Sequence, residues 1–81
     1  MTSSQARTFV ERTGPDAASR LGALARRCRA GGARAALLRS RDEPNLHLLL
    51  IEGDVDLRPD DHDGARVWRF ETTPDPEGAG R

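Results

Sequence analysis

The stretch ARAALLRSRDEPNLHLLLIEGD, residues 33–54, decides how this chain folds. It reads as two apolar strands, residues 33–41 and 46–51, joined by a tight turn at Asp42-Glu43-Pro44-Asn45. Proline fits the first central position of that turn, and asparagine tolerates the left-handed conformation that a type II turn needs next. A strand wetted on one side alternates apolar and polar residues, and these strands are greasy at successive positions instead. Both faces of the hairpin therefore ask for cover.

The flanking residues supply cover for one face. Residues 7–12 (RTFVER) form a β-branched and aromatic run that suits a first strand. Thr13-Gly14-Pro15-Asp16 then reads as a helix start, with Thr13 as cap, Asp16 completing a capping-box-like pair and Pro15 in the first turn. Ala17, Leu21, Leu24, Ala25 and Cys28 follow one helical face as far as Ala30, and Gly31-Gly32 stops the helix. Residues 52–64 carry Gly53, Pro59, Gly64 and six acids without a helical period, which predicts a solvated loop. Residues 65–72 (ARVWRFET) form a fourth strand with Trp68 and Phe70 on one face.

The predicted order is strand, helix, strand, strand, long loop, strand. It gives a single α+β domain over residues 7–72: a ferredoxin-like antiparallel four-stranded sheet with one helix, the second helix reduced to a loop. Residues 1–6 are expected to be a flexible N-terminus and residues 73–81 a disordered tail. The helix covers one sheet face and leaves the other bare, carrying either Leu46, Leu48 and Leu50 or Leu49 and Ile51.

Composition strengthens the case for a second subunit. The chain has 81 residues, 36% of them hydrophobic, and its aromatics are Phe9, Trp68 and Phe70. A domain this small buries only about 60% of its unfolded surface and is marginal alone. A homodimer relieves that shortage. The net charge of zero conceals a division, since residues 1–41 carry nine Arg against two acids (+7) and residues 42–81 four Arg against eleven acids (−7). Opposed halves neutralise each other within a fold or across a dimer, and the general positive field of a nucleic-acid binder is lacking. The loop acids also face a plausible partner in the basic helix border, Arg20 and Arg27. A single Cys28 excludes an internal disulfide. No apolar run approaches the roughly 20 residues that span a bilayer, and MTSSQART has no hydrophobic segment of signal-peptide type, so a cytoplasmic protein is expected.

Residues 7–51 resemble dimeric α/β-barrel proteins of the antibiotic-biosynthesis monooxygenase type. The likeness is strongest at Leu37-Leu38-Arg39-Ser40 and Asp42-Glu43-Pro44-Asn45. It implies a homodimer whose sheets pack face to face, in some members around an aromatic polyketide, a quinol or haem. The family pattern continues with a tryptophan after the third strand, where this chain has Ile51-Glu52-Gly53. Its second helix is replaced here by the acidic loop.

Candidate chemistry is sparse. His47, between Leu46 and Leu48, has the residue type for a proton carrier or haem ligand, and Trp68 is the chain's one indole; both are weak catalytic candidates. Arg39, His47, Trp68 and Phe70 are the ligand-binding candidates, the arginine for an anion and the aromatics for stacking on a planar molecule. His62 is expected in solvent. Asp54, Asp56, Asp60, Asp61 and Asp63 offer oxygen ligands, but an EF-hand opening at Asp54 would need Glu where Ala65 stands. No metal site and no cofactor are expected. The sequence thus leads to a small dimeric protein, non-catalytic or ligand-binding, accessory to a biosynthetic pathway. The alternatives are a cofactor-independent monooxygenase acting on an aromatic substrate, or a module that docks a partner through its opposed charges.

Overall fold

The structure, a computed structural model, describes residues 6–53 and 55–73. The expectations for residues 1–5 and 74–81, and any role of Asp54, lie outside them. The elements run β1 (Ala6–Thr13), α1 (Ala17–Ala30), β2 (Arg34–Arg39), β3 (Leu46–Glu52), α2 (Pro59–His62) and β4 (Arg66–Glu71). The strands form an open antiparallel sheet in the order β2-β3-β1-β4, with one main helix. This is an α+β domain, ferredoxin-like in its general plan.

Strand periodicity divides the residues between the two faces. Val10 pairs with Leu49 and Val67, Thr8 with Ile51, and Ala35 with Ile51, so these side chains share one face. Over them lies α1, chiefly above β2 and β3. Its Leu21, Leu24 and Ala25 join Val10, Leu49 and Ile51 in a buried core, with Cys28, Ala33, Ala35, Val55, Leu57, Ala65 and Val67 around it. The choice the sequence leaves open is thereby made: Leu49 and Ile51 go under the helix. Leu46, Leu48 and Leu50 lie on the other face.

The helix ends differ from one another. Thr13 closes β1 instead of capping, and Asp16 occupies the cap position without a side-chain bond to the helix. A residue still paired in the sheet, opposite Leu46, is not placed to cap a helix that starts four residues on. At the other end, the Ala33 amide donates to the Cys28 carbonyl and Gly32 to that of Arg29. With Gly32 at φ +96° this is a Schellman ending, which a residue bearing a Cβ would strain.

The β2–β3 turn also departs from expectation. The Leu46 amide donates to the Glu43 carbonyl across Pro44-Asn45, yet no residue other than glycine has a positive φ among the described residues. Asn45 is therefore not left-handed, and the turn is not type II. The Ser40 hydroxyl accepts from the Asp42 and Glu43 amides and ties the loop down by another route. Ala6, expected to be loose, is the first residue of β1.

The largest correction falls in the acidic segment. It contains a single helical turn, α2, and Asp61 there is buried, 8% exposed. Val55 and Leu57 pack on the core, so the segment covers sheet that α1 does not reach.

Leu49, wholly buried at the centre of the core, gives a direct test of this assignment. Leu49→Ala is expected to cost about 3 kcal/mol, read as a lower urea midpoint with an unchanged slope. A cost below about 1 kcal/mol would place Leu49 elsewhere.

Candidate functional site

The face of the sheet away from α1 is apolar, and none of the described elements covers it. The register places Phe9 between Leu50 and Trp68, and Leu48 between Glu11 and Leu38. Ala36, Leu46 and Phe70 lie on the same face. Leu38, Trp68 and Phe70 are 46%, 44% and 55% exposed, so the two aromatics of β4 do not serve as core anchors. Phe70 meets Phe9 edge to face, with ring centroids 5.4 Å apart at 80°. That geometry sets the positive edge of one ring against the negative face of the other. It stiffens this corner of the face while leaving most of Phe70 in solvent.

Charges of both signs border the face. Glu52 stands between Arg7 and Arg34 in one cross-strand row, and Glu11 pairs with Arg66 near the other end. Two shallow clefts flank the apolar centre. One, of about 340 Å³, is lined by Arg7, Phe9, Phe70, Glu71 and Thr72. The other, of about 290 Å³, lies at the hairpin end, where Leu38, Leu46 and Leu48 of the open face meet Arg39 and His47, which alternation assigns to the helix side.

The four residues singled out in the sequence fall into two groups. Arg39 and His47 are directly paired across β2 and β3, and both line the hairpin cleft. Trp68 and Phe70 lie on β4, at the opposite edge of the sheet from β2 and separated from β3 by β1. Moreover, His47 shares a face with Leu49, the helix side, whereas Trp68 points with Phe9 to the open side. The sheet itself separates His47 from Trp68, so one chain does not bring them together at a reaction centre. The Nδ1 atom of His47 is inaccessible and has no hydrogen-bond partner.

Among the described residues, no group of three or more His, Cys, Asp or Glu side chains is placed to hold a metal ion. Asp61 is engaged in another way. Its carboxylate accepts from the Arg58 amide at 2.7 Å and pairs with the Arg27 guanidinium, the helix border residue. Arg12, only 7% exposed, donates through Nη2 to the carbonyls of Asp60 (3.1 Å) and Asp61 (3.2 Å). The basic first half of the chain thus clasps the acidic second half. Arg12 had not been marked out in the sequence. The signal was its parity with Thr8 and Val10, which turns it inward.

Burial pushes the Asp61 carboxyl up, but the Arg27 bond and the Arg58 amide outweigh it and leave the group below its ordinary range. Burial raises the Cys28 thiol despite nearby Arg27, which disfavours a reactive thiolate. A carboxyl held low in the folded state stabilises the fold fully above its unfolded value, about 4. That contribution is lost as pH falls through the folded value. Asp61→Asn should therefore lower the urea midpoint at neutral pH and flatten its decline in acid. Parallel pH profiles for the variant and the parent chain would contradict the clasp.

No helix among the described residues is long and apolar enough to cross a membrane. Compared with protein-family models, curated proteins and solved structures, the chain matches none.

Proposed function

We propose that this chain acts as a homodimer whose uncovered sheet faces pack together around a small apolar ligand, as a non-catalytic accessory protein. One observation carries the proposal: Phe9, Leu38, Leu48, Leu50, Trp68 and Phe70 form one continuous face over which none of the described elements lies. Four strands about 4.8 Å apart, each about six residues long, give roughly 400 Å² in plan. Side-chain relief raises the accessible area toward the ~800 Å² that each partner of a standard interface contributes. A monomer rarely leaves so large a patch in water.

A second copy is the favoured occupant because the border is self-complementary. Arg7, Arg34 and Arg66 alternate with Glu11 and Glu52, so two copies meet without a field of one sign. The strand order read from the opposite edge, β4-β1-β3-β2, supports a ferredoxin-like arrangement with the second helix contracted to α2. The resemblance around residues 37–45 supports a sheet-to-sheet dimer of the α/β-barrel kind. The shallow cleft beside Phe9 and Phe70 would become a chamber once a partner closed it, and an aromatic ligand suits its edge-to-face rings.

The oxygenase alternative has less behind it, since the sheet divides His47 from Trp68. The reading of two charged halves that dock a different partner is weakened by the Arg27–Asp61 pair, which spends part of that charge internally.

Sedimentation equilibrium tests the proposal at micromolar concentration. The parent chain is expected to be dimeric, while Phe70→Glu and Leu38→Glu, at exposed positions, give folded monomers with unchanged far-UV circular dichroism. Emission from Trp68 should shift to the blue as the concentration of the parent chain rises. A monomeric parent chain would sink the proposal.

A further inference from the structure

On the helix side of the sheet, away from the proposed dimer face, a cleft of about 200 Å³ opens between α1 and α2. Arg12, Arg20 and Arg27 line it, with Leu24 in its wall and Asp60 and Asp61 on the opposite lip. We infer that this cleft binds a phosphate group, either inorganic phosphate or the monoester end of a small metabolite.

The first ground is an unneutralised buried cation. Arg12 has no carboxylate within ion-pair distance among the described residues, and its two hydrogen bonds go to carbonyl oxygens through a single nitrogen. Burying a guanidinium is costly unless a charge of opposite sign joins it. The remaining N–H groups of its planar fork are suited to a tetrahedral oxyanion.

The second ground is local charge. Three arginines meet two aspartates here, and Asp61 is already engaged by Arg27. Asp60 makes no ion pair among the described residues, so Arg12 and Arg20 share no committed carboxylate. Arg20 and Arg27, seven residues apart, border the same side of α1, and Arg12 approaches from the sheet beneath. The cavity is smaller than the roughly 300 Å³ at which sites for drug-sized molecules begin. It suits a phosphate group, with any organic remainder directed to solvent.

The test is a titration of the full chain with sodium phosphate, ionic strength held constant with chloride, followed by thermal unfolding and by arginine side-chain NMR. Saturable stabilisation is expected in the parent chain, with perturbed Arg12 and Arg20 resonances. Arg20→Ala, a change at an exposed position, should weaken phosphate binding about tenfold. Arg26→Ala, outside the cleft, should leave it unchanged. Glycerol phosphate binding as well as inorganic phosphate would identify a monoester site, whereas inorganic phosphate alone would identify a site for the bare ion. Equal losses in the two arginine variants would reduce the effect to general screening and overturn the inference. So would acetate binding as tightly as phosphate, or no saturable response at all.

Discussion

The structure depends on a constraint at β3: a strand with apolar side chains on both faces and one helix to cover them. Burial of Leu49 and Ile51 beneath Leu21, Leu24 and Ala25 is the central interaction of the fold. Every other element is placed with respect to it. The strand β1 lies beside β3 and contributes Val10, while β2 brings Ala35 to the face that α1 covers. Because side chains alternate, fixing Leu49 and Ile51 inward fixes Leu48 and Leu50 outward. The bare face is therefore the consequence of the core and not a separate feature.

The single helix also explains the short second one. Lying chiefly over β2 and β3, α1 leaves sheet on the β4 side without cover. Val55, Leu57 and Ala65 supply that cover, and the segment that carries them is held by arginines from the first half of the chain. Arg12 joins the sheet to the Asp60 and Asp61 carbonyls, and Arg27 joins α1 to the Asp61 carboxylate. A run of acids with no helical period becomes ordered through these contacts. The opposed charges of the two halves thus act largely within the fold.

The two faces suit different occupants. The open face is apolar at its centre and mixed in charge at its border, and on this chemistry the proposed dimer rests. The helix side presents a small arginine-lined cleft, which matches an oxyanion. A sheet stands between them, so each can be occupied without the other. His47 belongs to neither aromatic cluster nor arginine cleft; it shares the hairpin end with Arg39.

Much of the architecture was legible in the sequence because it rests on short-range rules. The helix over residues 17–30 follows from its apolar spacing and its glycine ending, and the hairpin from two apolar runs about a proline turn. Trp68 and Phe70 share a face because they stand two apart on a strand. The side on which each residue lies was not legible. An uninterrupted run from Leu48 to Ile51 has no phase, and only the packing of α1 chose Leu49 and Ile51. Nor did local pattern reveal the turn geometry, which Ser40 sets through its hydroxyl, or the burial of Asp61, which needs Arg27 from 34 residues earlier. The sequence by itself determined the four strands, the main helix and the apolar character of both sheet faces, since these follow from neighbours along the chain, whereas α2 does not. The tertiary structure decided which face stays open and which charges meet, since those depend on contacts between distant residues.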